Sequence, residues 1–125
     1  MTEHITVAEV DPFSKTAASA GLTEDERQAI TEFLARNPES GDVIPGTGGL
    51  RKLRWPGKGK GTRGGYRVVY YFFNEAIPVY LLAVYPKGQQ IDLTAAQKKQ
   101  LTKLAGDLKV EAKARRNMEL RRAVR

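Results

Sequence analysis

Two apolar stretches, residues 66–73 and 79–85, constrain this chain more than anything else in it. The first contains Val68, Val69, Tyr70, Tyr71, Phe72 and Phe73; the second contains Val79, Tyr80, Leu81, Leu82 and Val84. β-Branched and aromatic residues suit a pleated, half-buried surface. Asn74-Glu75-Ala76 between them supplies a turn, so the pair is predicted to form an antiparallel hairpin. Leu50, Lys52 and Arg54 alternate with Arg51, Leu53 and Trp55, which reads as a further strand alongside. Alternation along 66–73 sends Arg67, Val69, Tyr71 and Phe73 to one side and Tyr66, Val68, Tyr70 and Phe72 to the other. Both sides are apolar, so the sheet is expected to be covered on one face and partly open on the second.

The remaining segments supply cover. The stretch that begins Ile5-Thr6-Val7 and ends near Asp11-Pro12 reads as a short first strand, and residues 14–20 as a short helix stopped by Gly21. Thr23 and Glu26 have capping-box spacing, and Ala29, Ile30, Phe33 and Leu34 share one helical face until Asn37-Pro38 ends it. Residues 41–49 read as an irregular connection, and residues 56–65 hold too many glycines for a regular element. A long helix is predicted from Thr94, where Thr94 and Gln97 repeat the capping-box spacing and Leu101, Leu104 and Leu108 form the stripe. Beyond Val110 the stripe fades, leaving either an overhanging helix or a frayed tail. The expected architecture is α+β: a mainly antiparallel sheet packed by two N-terminal helices and a C-terminal one, with a domain over 1–108 and a basic extension over 109–125.

With 125 residues, one domain is the expectation. The absence of cysteine removes disulfides, thiolate metal sites and a cysteine nucleophile. No apolar run approaches the roughly 18 residues of a membrane span, and no secretory leader is recognisable. A cytoplasmic location with no membrane partner is expected.

The net charge of +7 is very unevenly spread: residues 1–45 carry three bases and nine acids, whereas residues 46–90 carry eight bases against Glu75 alone. Such a basic block is suited to a polyanion, and the other reading is a solvated basic surface. Arg51, Lys52, Arg54, Lys58, Lys60, Arg63 and Arg67 follow one another uninterrupted by acid. Trp55, Tyr66 and Tyr70 lie among or beside them, so bases can stack where phosphates are neutralised. Neither Gly46-Thr47-Gly48-Gly49 nor the 57–61 glycines have the ending of a nucleotide-binding P-loop. His4 is the only histidine, which excludes a two-histidine ribonuclease mechanism within one chain. The basic region also lacks the clustered carboxylates of a two-metal nuclease. No cofactor and no metal are expected. Phosphodiester cleavage here would rely on the RNA 2′-hydroxyl as internal nucleophile, with arginines holding the charged transition state. The hairpin register brings residues 63–67 to the same sheet end as 85–87, gathering Arg63, Arg67, Tyr85 and Lys87.

Leu50-Arg51-Lys52-Leu53-Arg54, Gly65-Tyr66-Arg67-Val68-Val69-Tyr70 and Ala83-Val84-Tyr85-Pro86-Lys87 resemble the RelE/HigB family of bacterial toxins. The stretch from Gly41 to Thr94, with its opening over residues 41–52, most resembles the HigB-like branch, and the resemblance as a whole covers about residues 3–108. It implies a ribosome-dependent endoribonuclease that cuts mRNA in the A site and arrests translation. Carried over by position, Arg67, Lys52, Arg54 and Lys87 would be catalytic, with Tyr85 standing in for a tyrosine that some relatives carry where this chain has Leu93. Arg51, Lys58, Lys60, Arg63 and Trp55 would contact RNA. The resemblance also implies a cognate antitoxin with a helix-turn-helix part, through which alone the complex would bind operator DNA. A ParE-like gyrase poison and a non-catalytic RNA-binding protein are the alternatives. The basic residues from Lys109 onward either add contacts to ribosomal RNA or form a solvated helix end.

Overall fold

The computed structural model describes residues 5–57, 65–86, 88 and 93–123. Its elements run β1 (Val7–Glu9), α1 (Asp11–Ala20), α2 (Glu24–Arg36), β2 (Asp42–Val43), β3 (Leu50–Pro56), β4 (Gly65–Tyr71), β5 (Val79–Pro86) and α3 (Ala95–Ala123). The strands form one sheet in the order β1-β5-β4-β3-β2. Pairing is antiparallel except for β1, which lies parallel to β5 with Val7 opposite Val79. Over the described residues the fold is therefore α+β, a five-stranded and mostly antiparallel sheet with three helices.

Local chemistry sets the helix ends. In α1, Pro12 fits the first turn, where its missing N–H costs nothing. Gly21 then takes φ +75°, and the Leu22 N–H returns to the Ala17 carbonyl at 3.0 Å. At the start of α2 the Glu26 N–H donates to Thr23 Oγ1 at 3.1 Å, and the Thr23 N–H donates to Glu26 Oε1 at 3.0 Å. Asn37 closes that helix, its N–H and its side-chain amide both donating to the Phe33 carbonyl. Thr94 and Gln97 repeat the reciprocal cap before α3 at 2.8 and 3.1 Å. That helix is 29 residues long and crosses residue 108 without a break, so the stretch 109–123 is helical. Among the described residues no helix is long and apolar enough to cross a membrane.

The sheet has a core on each face. One joins Phe13, Ala17, Ile30 and Leu34 of α1 and α2 to Val68, Tyr70, Val79, Leu81 and Val84. The other joins Leu101 and Ala105 of α3 to Ile44, Leu50, Val69, Tyr71, Tyr80, Leu82 and Ala83. The expected strand alternation therefore holds for β4. On the outer side of β5, past the short β1, the Val84 N–H donates to Thr16 Oγ1 of α1 at 3.0 Å, so a helix hydroxyl satisfies an edge donor.

The N-terminal strand, Val7–Glu9, falls within the stretch between Ile5 and Asp11 where a short strand is expected. The connection read as irregular holds β2, whose Asp42 and Val43 pair with Lys52 and Arg51. A two-residue ladder has no hydrophobic period by which a sequence could announce it.

Candidate functional site

Strand register assembles the candidate site. Arg54 of β3, Arg67 of β4 and Tyr85 of β5 are successive neighbours across the sheet. One step along, Lys52, Val69 and Ala83 form the next row. Lys52 and Arg54 share the parity of buried Leu50, and Arg67 shares that of Val69, so these side chains lie on the α3 face.

Tyr85 reaches the same face through a β-bulge. Val69 pairs with Ala83 but Tyr70 pairs with Leu81, which leaves Leu82 as the extra residue of β5. Val79 and Leu81 pack toward α1 and α2, whereas Leu82, Ala83 and Tyr85 all lie with the α3 core. Strict alternation from Val79 would have put Tyr85 on the opposite face; the bulge reverses the phase and sets it beside Arg67. Burial holds the Tyr85 phenol above the ordinary tyrosine value, so it stays protonated at neutral pH.

Between the start of α3 and the sheet lies an open cavity of about 210 Å³, lined by Ile44, Pro45, Lys52, Arg67, Val69, Leu93 and Lys98. Among the described residues that line it, three are cationic and none is acidic, a composition suited to an anion. Lys98 was not among the residues singled out from the sequence. It sits in a helix with many lysines, and only the packing of the first turn of α3 over β3 and β4 distinguishes it.

The lip formed by Ile44 and Pro45 is fixed from below. The Tyr70 hydroxyl donates to the Pro38 carbonyl and accepts from the Gly41 N–H, each at 2.8 Å. Arg51 Nη1 donates to the carbonyls of Gly41 at 2.8 Å and Glu39 at 3.1 Å. Thr47 Oγ1 donates to the Ile44 carbonyl at 2.6 Å and accepts from the Leu50 N–H at 3.1 Å. Gly41 is compulsory, because a Cβ there would lie 2.7 Å from Tyr70 Cε1 and 2.9 Å from the Lys52 carbonyl oxygen.

Of the residues the sequence placed in the site, the structure brings together Lys52, Arg54, Arg67 and Tyr85. Arg51 and Trp55 are parted from them by alternation. Trp55 packs edge-to-face on Phe33 of α2, with ring centroids 5.6 Å apart, against the α1–α2 core. Arg51 is engaged with the 38–41 backbone, as described. Tyr66 and Tyr70 also belong to that other face, so none of these rings flanks the cavity. Lys58, Lys60, Arg63 and Lys87 lie outside the described residues. Among the described residues no three His, Cys, Asp or Glu side chains converge into a metal-binding group.

No family model matches the chain.

Proposed function

We propose that this chain is a metal-independent endoribonuclease of the RelE/HigB type, a toxin that cleaves mRNA in the ribosomal A site. The observation that carries this reading is the cluster of cations in which Lys52, Arg67 and Lys98 line one cavity with Arg54 and Tyr85 in the adjoining row. A scissile phosphate in the cavity would be held by cations on three separate elements, which positions it and stabilises the extra negative charge of a pentavalent phosphorus. The 2′-oxygen of the preceding nucleotide attacks phosphorus, the bond to the 5′-oxygen breaks, and a 2′,3′-cyclic phosphate forms. Tyr85 donates its proton to the departing 5′-oxygen, while the 2′-hydroxyl proton passes to solvent and the phenolate is reprotonated from it. A phenol held above its ordinary pKa regains that proton readily.

The strand motifs around Arg54, Arg67 and Tyr85 and their α+β setting support the family assignment. The same basic face suits a cognate antitoxin that inserts an acidic segment or covers the cavity. Any contact with operator DNA is assigned to that antitoxin.

The test is translation in a cell-free extract with purified protein, followed by primer-extension mapping of mRNA 5′ ends. New ends within the A-site codon are expected, reduced about 10²–10³-fold in Arg67→Ala, the scale for removing one transition-state charge donor. Arrest without new ends would leave a binding protein; unaffected translation would abandon the ribosome as target.

A further inference from the structure

The α3 face carries a second basic feature, remote from the cavity. Phe73, just beyond β4, is 39% exposed, and Lys109 and Lys113 both place their ammonium groups over its ring, 4.2 and 4.7 Å from the centroid. Each contact is favourable on its own, because the ring face is negative. Two ammonium groups sharing one ring nevertheless repel each other. Among the described residues, the ion pairs on this part of α3 are Lys103 with Asp107 and Arg115 with Glu111, so the nearby helix acids serve other bases. The lysine pair is therefore a preformed seat for an anion.

Its position relative to the cavity is set twice over. Arg67 and Phe73 are six residues apart along extended chain, about 20 Å. Lys98 and the lysine pair are eleven and fifteen residues apart on α3, about 16 and 22 Å. The two measures agree because α3 runs alongside β4, with Leu101 and Ala105 packed on Val69 and Tyr71 between the two ends. One flank of α3 thus carries cations at both ends of a line about 20 Å long.

We propose that Lys109, Lys113 and Phe73 form a remote phosphate-binding subsite that engages a single-stranded RNA several nucleotides away from the phosphate held by Lys52, Arg67 and Lys98. The proposal rests on the nuclease reading for the identity of its occupant. The subsite would direct one arm of the RNA along α3, setting strand polarity in the cavity, and Phe73 offers a ring edge to a base. This assigns a binding role to part of the basic C-terminal stretch that the chemistry at the cavity does not use.

Equilibrium binding of two non-cleavable 2′-O-methyl RNAs, a decamer and a trimer, followed by fluorescence anisotropy over a range of KCl, tests this. Each phosphate contact on a single strand contributes about 0.7 to the slope of log K against log[salt]. Lys109→Ala/Lys113→Ala is expected to lower the decamer slope by about 0.7, one phosphate contact, whereas the trimer, too short to span both sites, keeps its slope. Lys109→Arg/Lys113→Arg, which preserves charge, is expected to restore the decamer slope. Far-UV circular dichroism checks that both variants keep their helix content. An unchanged decamer slope, or an equal loss for the trimer, would overturn the subsite. A ten-residue polyglutamate that binds the lysine pair as tightly as the decamer would assign it to an acidic protein segment instead. The translation assay separates the two readings. New 5′ ends with an unchanged slope would remove the subsite alone, and a lowered slope without new ends would remove the nuclease alone.

Discussion

The two faces of this sheet are built from the same strands and have opposite characters. Toward α1 and α2, Leu53, Trp55, Tyr66, Val68 and Tyr70 close on Phe13, Ile30 and Leu34, and the polar atoms present are spent on structure. Toward α3, the core of Val69, Tyr71 and Leu101 gives way at one end to Lys52, Arg54 and Arg67 around an open cavity. Arg51 and Lys52 are adjacent in sequence, yet one holds backbone carbonyls and the other lines the cavity. A run of bases in a strand is thus two sets of residues with two separate tasks, and a charge count cannot divide them.

The largest expected effect contrasts two arginines. Arg67→Ala should lower cleavage by about 2.7–4 kcal/mol in transition-state terms with little change in urea midpoint. Arg51→Ala should act chiefly on stability, costing about 1–3 kcal/mol as the Gly41 and Glu39 carbonyls lose their donor, with a much smaller loss of cleavage through the lip. Equal loss of cleavage in both, at equal stability, would break the division between the faces.

Gly41→Ala should be severe for a backbone position remote from the cavity. Its Cβ would meet Tyr70 and the Lys52 carbonyl, and relieving that overlap is expected to cost about 1–3 kcal/mol, read from chemical denaturation. Tyr70→Phe should cost about 1–2 kcal/mol by leaving the Gly41 N–H and the Pro38 carbonyl without partners. If the lip over the cavity depends on this anchor, both variants should also weaken cleavage when assayed well below their melting temperatures.

The smallest effect appears at high pH. All five tyrosines, Tyr66, Tyr70, Tyr71, Tyr80 and Tyr85, are held above 10.0 by burial as the leading cause. A folded phenol that keeps its proton more tightly than the unfolded one contributes stability that is complete below pH 10.0 and is lost as pH rises through the folded values. Unfolding free energy should therefore fall steadily above pH 10.0, and the 295 nm phenolate signal of the native protein should lag behind that of the unfolded chain. Simultaneous titration in both states would show that the two faces are wetter than their packing indicates.

Much of this molecule was legible in its residues. Thr23 with Glu26, and Thr94 with Gln97, announced two helix starts because a capping box is written within four consecutive residues. The hairpin of β4 and β5, and β3 beside it, followed from apolar runs and a turn. Lys52, Arg54 and Arg67 could be placed on one face by alternation alone, given the pairing of β3 with β4. What was lost lay in long-range contacts: the parallel pairing of β1 with β5, the two-residue β2, and Lys98, whose role depends on where α3 lands.

Local interactions, then, determined the elements, the acidic and basic halves and the hairpin, because caps, turns and side-chain periods act between near neighbours in the chain. Only the tertiary structure decided which members of the basic run share a surface. It did so through strand register, which sends Trp55 to Phe33 and leaves Arg54 beside Arg67. It did so again through the bulge at Leu82, which brings Tyr85 to the cationic face. A single unpaired residue reverses every side chain beyond it, and where that residue falls depends on the fit of β5 between β4 and the two cores.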